Sequence, residues 1–254
     1  MPETPFVRET EDRAATLGHP SYVWRFGQDR RLNLIRQWAP LEGSRVLDVG
    51  CGLGMYVRKM RAYSPAVFGV EIDEERAREA NRELRLIAVA AAEHLPFPTG
   101  SFDVVLSHEM IEHVSDDRQT MAEMVRVLRP GGRLVLFCPN RLWFFETHGH
   151  FWRGRYHEGN TPLINWLPDV LRNRLAPHVR AYTAGQVRAL LQGLPARVVY
   201  HTQIYPGYDK IASRRPALGR ILRLITYTLE RTPLRVFGLS HFMVIERLED
   251  ARRS

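Results

Sequence analysis

The sequence predicts an α/β fold built on a doubly wound parallel sheet, and three observations support this prediction. From about residue 45, short apolar runs alternate with longer amphipathic segments, which is typical of strands joined by helices on both faces of a sheet. A glycine-rich turn follows the first apolar run, where open α/β sheets bind their ligands. The length of 254 residues suffices to bury the core of one such domain together with inserted segments.

The first half of the predicted core contains three strands and two helices. The run RVLDVG, residues 45–50, is predicted as a strand because it is apolar and ends at a glycine. Residues 54–63 have helical spacing, and AVFGVEI, residues 66–72, is the next strand. The charged segment 73–84 opens with acidic residues, which stabilise the N-terminal end of a helix. The apolar run LIAVAA, residues 86–91, is the third strand.

The second half continues the alternation after residue 100. FDVVLS is a buried strand, and the amphipathic helix DRQTMAEMVRVL ends at the turn RPGG, after which RLVLFCP forms a fifth strand. A further helix begins at Thr183, whose hydroxyl is a suitable N-cap. ARVVYHTQI and SHFMVIERL are the remaining strands. The predicted organisation is an N-terminal helical lid segment 1–44, a core 45–139, an insertion 140–182, a core continuation 183–204, an insertion 205–238, and a last strand and tail 239–254.

The composition of the chain indicates where in the cell the protein is expected and which partners it is expected to bind. Two cysteines cannot form a disulfide framework, and the charged N-terminus lacks an apolar signal core, so we expect a cytoplasmic protein. No apolar run reaches the length of a membrane span, roughly 18 residues. The formal net charge of +8 comes from basic residues spread along the chain rather than clustered, which does not favour nucleic acid as the partner.

The glycine-rich turn and a later acidic residue predict a cofactor that contains a nucleoside. Gly50, Gly52 and Gly54 lie at the end of the first strand, where glycine lets the backbone approach a ligand closely. Glu71 ends the next strand about 20 residues later, where a carboxylate can accept both hydroxyls of a ribose. The spacing G-x-G-x-G, led by Asp48, differs from the dinucleotide G-x-G-x-x-G and argues against a dehydrogenase.

With VLDVGCGLG, GVEI, AAAEHLPFPTGSFDVVLS and VLRPGGRLVLFCPN in this order, the chain resembles the class I S-adenosylmethionine-dependent methyltransferases of the type 11 group. The resemblance covers roughly residues 45–140 and implies a Rossmann-like sheet with an antiparallel last strand, supplied here by HFMVIERL. It also implies S-adenosylmethionine as the cofactor, with Asp48 and the glycine loop around the methionyl part, Glu71 at the ribose, and adenine neighbours in the two following loops. The implied cofactor residues are Asp48, Gly50, Cys51, Gly52, Gly54, Glu71, Ile72, Ala92, Glu93 and Ser107.

One departure from the family pattern concerns the adenine. The family often has aspartate where this chain has Ala91, so we expect a polar contact to the adenine amine to be missing.

The segment SHEMIEHV, residues 107–114, follows the fourth strand. Its Glu109, Glu112 and His113 stand three and four residues apart, a spacing that on a helix puts all three side chains on one face. The segment allows three interpretations. Its carboxylates could order a loop. Alternatively His108, His113, or His19 of the N-terminal segment could act as the base that deprotonates the methyl acceptor. The third interpretation is a metal site, because E-x-x-E-H resembles segments of ubiquinone-biosynthesis O-methyltransferases and of enzymes that methylate small RNA 3′ ends. That resemblance implies a divalent cation, Zn, Fe, Mn or Mg, on Glu109, Glu112, His113 and His178.

The two insertions bear on the acceptor. Residues 140–182 are rich in aromatic residues and histidine, and either form a lid over an aromatic or lipid-like acceptor or stack nucleic-acid bases. Residues 205–238 carry seven basic and two acidic residues and include an amphipathic helix from Ala217 to Leu229, with Arg220 and Arg223 opposite its apolar face. That helix either packs on its own domain or lies in the interface of an anionic membrane.

These observations predict a methyltransferase that uses S-adenosylmethionine and acts on oxygen in a small hydrophobic acceptor, such as a quinone precursor or a lipid-linked intermediate. An RNA methyltransferase is the alternative enzyme, and a catalytically silent binding module is the alternative from another class. The expected location is the cytoplasm, with peripheral attachment to the inner membrane face if the amphipathic helix binds lipid.

Overall fold

A seven-stranded sheet forms the centre of the structure, a computed structural model that describes residues 23–249. The strand order is β10-β11-β5-β4-β1-β2-β3; β1 to β5 are parallel, and β11 runs antiparallel to both of its neighbours. The predicted fold class, with its antiparallel last strand, is therefore confirmed. The strands are β1 Val46–Val49, β2 Val67–Glu71, β3 Ile87–Val89, β4 Phe102–His108, β5 Leu128–Pro139, β10 Ala196–Ile204 and β11 Ser240–Arg247.

Helices are present at the five segments that the sequence predicts as helical between residues 54 and 229. The helices Asp169–Leu175 and Asp209–Arg214, two short hairpins and two 3-10 turns, which the sequence analysis did not predict, complete the insertions. Asp73 and Thr183 cap their helices, each side chain accepting hydrogen bonds from backbone amides of the first turn. The helices are α1 Phe26–Trp38, α2 Met55–Met60, α3 Glu74–Asn81, α4 Asp117–Val127, α5 Asp169–Leu175, α6 Ala184–Ala189, α7 Asp209–Arg214 and α8 Pro216–Leu229. The small strands are β6 Phe145–Glu146, β7 His150–Trp152, β8 Arg155–His157 and β9 Thr161–Pro162; the 3-10 turns are Ile164–Trp166 and Pro233–Phe237.

Two hydrophobic clusters, one on each face of the sheet, form the core. The first contains Met121 and Val125 of α4, and the second contains Ile35 of α1 and Ala77 of α3. Strand β1, the run VLDV, is buried at all four positions, as expected of a strand covered on both faces, and Asp48 is its single polar side chain.

The topology brings four chain segments to one edge of the sheet. β1 lies between β2 and β4, so the crossover connections diverge on its two sides and leave a crevice at the carboxyl ends of these strands. In the register, Val49 pairs with Val70 on one side and with Ser107 on the other. The antiparallel direction of β11 places its first residue, Ser240, opposite Pro139 at the same edge. Among residues 23–249, no helix is long and apolar enough to cross a membrane.

Candidate functional site

A cavity of about 660 Å³ opens at this edge of the sheet, within the range of roughly 300–1,000 Å³ that small-molecule sites occupy. Its lining extends from the glycine loop across the ends of β2 and β4 to the insertion that follows β5. The predicted cofactor residues that line it are Asp48, Gly50, Cys51, Gly52, Glu71, Ile72, Ala92 and Glu93. Gly54 and Ser107 lie behind this lining, Ser107 being fully buried.

The glycine loop needs glycine for conformational and steric reasons together. Gly50 and Gly54 have φ of 74° and 73°, in the left-handed region that other residues rarely adopt. A Cβ on Gly50 would lie 2.2 Å from Cγ of Met110, and one on Gly54 would lie 2.2 Å from Cδ1 of Leu84. Gly54 therefore lets α2 start close to Leu84, and Gly50 leaves room for the segment that follows β4.

Glu71 is held in place by the loop. Its Oε2 accepts a hydrogen bond of 2.8 Å from the amide of Gly52, and its Oε1 accepts one of 3.0 Å from the amide of Asp73. Each carboxylate oxygen can accept a second bond, so the group can receive ribose hydroxyls without losing these contacts. The carboxylate thus joins the glycine loop to the start of α3 at the place where the sequence predicts the ribose.

Glu71→Ala will weaken the binding of S-adenosylmethionine by about 1.5–3 kcal/mol, since hydrogen bonds to a charged acceptor have this value and the loop loses its anchor. Isothermal titration calorimetry measures the effect directly. Glu83→Ala, which removes an exposed carboxylate paired with Arg58, serves as the matched control and should bind the cofactor like the unmodified protein. Unchanged affinity in Glu71→Ala would remove this residue from the cofactor site.

Asp48 is buried beneath the loop. Burial, and then the charge of Glu71, raise the pKa of Asp48 to about 8, so its carboxyl group holds a proton at neutral pH. A cation placed beside it, such as the ammonium of a methionyl group, would favour the ionised form. The site is therefore suited to the positively charged part of the predicted cofactor.

The adenine end of the predicted site combines apolar side chains with the carboxylate of Glu93. Ile72 is 55% exposed and lines the cavity beside Ala91 and Ala92. The carboxylate of Glu93 accepts hydrogen bonds from the amides of Ser115 and Asp116, so it orders the turn before α4. Ala91 offers no polar side chain, in agreement with the departure noted in the sequence.

The E-x-x-E-H segment is a turn, not one turn of a helix, and this corrects the prediction that its three side chains share a helical face. Glu109 has φ of 51°, which turns the chain away from the strand direction immediately after β4. Its Oε1 lies 3.0 Å from the guanidinium of Arg31 and accepts a hydrogen bond of 2.6 Å from the hydroxyl of Ser240. The carboxylate of Glu109 thus contacts α1 and β11.

A second group of side chains converges beside the same cavity, which two of them, His113 and His148, line. Glu112, His113 and His148 each place one potential ligand atom within 4.8 Å of the others. Glu112 is buried, and neither of its carboxyl oxygens meets a hydrogen-bond donor among the described residues. Burial and the nearby charge of Glu109 raise the pKa of Glu112 well above its ordinary value. We call these three residues the Glu-His-His cluster.

His148 is oriented by a chain of buried charges in the first insertion. Its Nδ1 lies 3.1 Å from the carboxylate of Glu146, and that carboxylate accepts a hydrogen bond of 3.0 Å from Arg172. Arg172 also donates a hydrogen bond of 2.6 Å to the carbonyl of Val179. With Nδ1–H donating to Glu146, the lone pair of Nε2 faces Glu112, 3.8 Å away. This arrangement, a carboxylate on the far nitrogen of a histidine, is the usual support of a metal-binding imidazole.

His178 lies beside the cluster but does not belong to it. Its Nε2 is 3.2 Å from the backbone carbonyl of His148, which fixes Nε2 as the donor, and its Nδ1 has no hydrogen-bond partner within residues 23–249. Of the four predicted ligands, Glu112 and His113 lie together with His148 in this cluster, whereas Glu109 and His178 lie outside it. Sequence reasoning missed His148 because no spacing links it to the E-x-x-E-H segment.

The predicted bases have low basicity. His108 accepts from Arg31 at 2.7 Å and lies 3.2 Å from the hydroxyl of Tyr56; burial and the Arg31 charge lower its pKa to about 3. Burial, together with the neighbouring His148, lowers the pKa of His113 to about 3 as well. Both rings are neutral at physiological pH and are weak proton acceptors. His19 lies outside the described residues.

The parallel sheet, the glycine loop with Glu71 and the antiparallel last strand together define an α/β protein built to hold a nucleoside-containing cofactor. The family described as Methyltransferase domain matches residues 47–136. An uncharacterised methyltransferase of Mycobacterium tuberculosis is 30% identical over 179 residues, which is 63% of this chain and 88% of that protein. The chain belongs to the S-adenosylmethionine-dependent methyltransferases.

Two further comparisons extend this result. A ubiquinone biosynthesis O-methyltransferase of Thiobacillus denitrificans is 33% identical over 118 residues, 44% of this chain and 51% of that protein, so the chain spans about half the length of such relatives. The crystal structure of an S-adenosylmethionine-dependent methyltransferase from Mesorhizobium loti superimposes with a TM-score of 0.60 at 20% identity, covering 85% of this chain and 96% of that one. The second comparison shows the fold alone.

Proposed function

We propose that the protein transfers the methyl group of S-adenosylmethionine to an oxygen atom of a small hydrophobic acceptor. One observation carries the proposal: the cavity lined by Glu71 and the glycine loop is continuous with the wall that His113 and His148 form. A cofactor bound at Glu71 and an acceptor bound at the Glu-His-His cluster would therefore share one space. Methyl transfer requires this proximity, because its rate depends on the alignment of the two reacting atoms.

The cavity favours an apolar acceptor. Met55, Tyr56, Met110 and Val114 line it between the loop and the cluster. From the first insertion, His148 lines the cavity, whereas the aromatic Trp143 packs against Tyr205, with ring centroids 6.1 Å apart. The similarity to a ubiquinone biosynthesis O-methyltransferase supports oxygen as the atom methylated and a quinone precursor or lipid-linked intermediate as the acceptor.

The resemblance of the E-x-x-E-H segment implies a divalent cation, and the Glu-His-His cluster fits one. Two carboxyl oxygens without donors and two imidazoles within 4.8 Å provide an oxygen and nitrogen set that suits Zn, Fe or Mn, and Mg if water completes the shell. Glu112, His113 and His148 would hold the ion. When bound, the ion would supply a positive charge that lowers the pKa of an acceptor hydroxyl.

The chain's own groups perform the remaining tasks. Glu146 keeps His148 in one tautomer and one orientation, so Nε2 stays directed at Glu112. Arg31 holds Glu109 and His108 at the base of the cavity. The apolar walls exclude water from the space between cofactor and acceptor.

The test is a transfer assay with isotopically labelled S-adenosylmethionine against an extracted lipid pool and a total RNA pool in parallel. We expect label in the lipid fraction, attached through an ether oxygen as judged by mass spectrometry of the product. Label in RNA alone would replace this proposal with an RNA methyltransferase. Cofactor binding in calorimetry without transfer to either pool would instead define a silent binding module.

Metal removal is tested separately. Exhaustive chelation should abolish transfer and lower the thermal midpoint, because an ion bound only by the folded state stabilises that state. Elemental analysis before and after chelation, and recovery on adding back Zn, Fe, Mn or Mg, identify the ion. Full activity after chelation to less than stoichiometric metal would exclude the cation and leave the Glu-His-His cluster with a hydrogen-bonding role.

A further inference from the structure

Helix α8 packs on the protein with a polar and small side and presents apolar side chains to solvent. The predicted helix is confirmed, but Arg223 does not point away from the body as the sequence pattern suggested. Its guanidinium donates to the carbonyl of Gly207 at 2.7 Å, pairs with Asp209 at 3.2 Å and lies 3.9 Å from the ring centroid of Phe26. The side facing the protein also buries Gly219 and Thr226.

The outward side of this helix is apolar. Leu224 is 72% exposed, Ile221 53%, Ile225 52% and Leu218 40%. The 3-10 turn that follows packs beside α8 and adds Leu234 and Val236, which are 48% and 39% exposed. We call these six residues the α8 surface. Such exposure is unusual for clustered leucine and isoleucine, because water contact costs about 25 cal/mol for every Å² of apolar area.

Exposed cations lie close to the α8 surface along the chain. Both acidic residues of the second insertion are neutralised within it or against α1, Asp209 by Arg223 and Glu230 by Arg30. The exposed cations of the same insertion form no ion pair with an acidic residue among residues 23–249. They are Lys210, Arg214, Arg215, Arg220, Arg231 and Arg235.

We propose that the α8 surface docks on the surface of an anionic lipid bilayer, with its leucine and isoleucine side chains below the headgroups and the arginines at the phosphates. An apolar stripe bordered by arginine matches the two layers of such a bilayer, an acyl region and a negatively charged headgroup region. A protein partner would need acidic groups at the rim together with an apolar centre of the same shape. The bilayer supplies both over an unlimited area, so charge complementarity favours it.

The docking surface is one helix away from the cavity. In α1, Gly27 donates its amide to Asp209 and Arg30 pairs with Glu230, whereas the neighbouring Gln28 lines the cavity. If the acceptor carries a lipid tail, as the proposed function holds, docking would bring the cavity close to the layer in which that acceptor dissolves. This consequence rests on the proposed function; the docking itself does not.

Vesicle flotation with the full chain tests the proposal. We expect binding to phosphatidylcholine vesicles that contain phosphatidylglycerol, no measurable binding to pure phosphatidylcholine, and release as salt is raised. The variant Ile221→Ser/Leu224→Ser should bind at least about tenfold more weakly, since it removes the two most exposed apolar side chains that would enter the bilayer. The variant Arg214→Gln/Arg215→Gln/Arg220→Gln should lose up to about fivefold for each charge removed.

Leu86→Ser is the matched control, because Leu86 is a 37% exposed leucine beside β3, at the opposite edge of the sheet. It should bind vesicles like the unmodified protein.

Equal binding to both kinds of vesicle, binding to neither, or unchanged binding by both α8 variants overturns the proposal. A concentration-dependent dimer that Ile221→Ser/Leu224→Ser dissociates, without any vesicle binding, would instead assign the α8 surface to a second copy of the chain. Unchanged circular dichroism and cofactor affinity in the variants separate these outcomes from misfolding and from failure of the proposed function.

Discussion

Glu112→Ala will reduce methyl transfer by at least about a hundredfold while leaving the affinity for S-adenosylmethionine unchanged. The loss follows from the proposed function, in which Glu112 holds the cation, because replacing even a residue that only supports a metal ligand costs about 10- to 100-fold. The cofactor affinity should persist, because Glu112 does not line the cavity and contributes no contact to Glu71 or the glycine loop. Steady-state kinetics and calorimetry on the same preparation measure the two quantities.

We also expect Glu112→Ala not to destabilise the metal-free protein. Since no described residue donates a hydrogen bond to the carboxyl of Glu112, its removal leaves no donor unsatisfied and relieves the cost of burying the group, about 1–3 kcal/mol. In metal-free protein, Glu112→Ala should therefore melt no lower than the unmodified chain. A lower midpoint in chelated protein, or retained activity, would show that Glu112 serves only to order the turn.

Arg172→Ala will destabilise the first insertion by about 3–5 kcal/mol, the cost of leaving one member of a buried ion pair alone. Both side chains of the Arg172–Glu146 pair are 2% exposed. Burial raises the pKa of Glu146, but the hydrogen bond and charge of His148 and the charge of Arg172 lower it more, so the pKa lies below its usual value. Without Arg172, the carboxylate either takes up a proton or draws in water, and His148 loses its orientation.

Hydrogen exchange across residues 140–182 is the most direct measurement of this effect, because the destabilisation is local and a global unfolding curve averages it. If the Glu-His-His cluster holds the proposed cation, its affinity for that cation should fall by about 10- to 100-fold in the same variant. Arg155→Ala, which removes an exposed arginine of the same insertion, is the control and should change stability by about 0.5 kcal/mol or less. Exchange rates in Arg172→Ala that match those of Arg155→Ala would contradict the argument.

The fold was predictable because its signals are local. Alternating apolar runs and amphipathic segments define the strands and helices of the core, and Thr183 marks a helix start by a hydroxyl that a backbone amide requires. The predicted position of Glu71 was equally accessible, since it follows from the connection between two adjacent strands. The structure adds the two amide bonds that fix its carboxylate.

Two of the three residues of the Glu-His-His cluster could be predicted from the sequence, and the third could not. Glu112 and His113 lie in one short segment, but His148 arrives from an irregular insertion whose path depends on long-range contacts such as Arg172 with Glu146. No periodic pattern encodes such contacts. The helical spacing assumed for E-x-x-E-H failed because Glu109 adopts a positive φ, which a sequence pattern does not reveal for a residue other than glycine.

Helix α1 gives the molecule a route for communication between its two surfaces. Arg31 contacts His108 inside the site, and Arg30, the preceding residue, contacts Glu230 below α8. Because one helix makes both contacts, a shift of α1 as a unit would change both of them. Any factor by which a bilayer strengthens acceptor binding must then equal the factor by which the acceptor strengthens attachment to the bilayer, since coupling free energies are reciprocal. If the proposed docking and the proposed methyl transfer both hold, the protein would remain on the membrane while its acceptor is bound and leave it more readily once the product has departed.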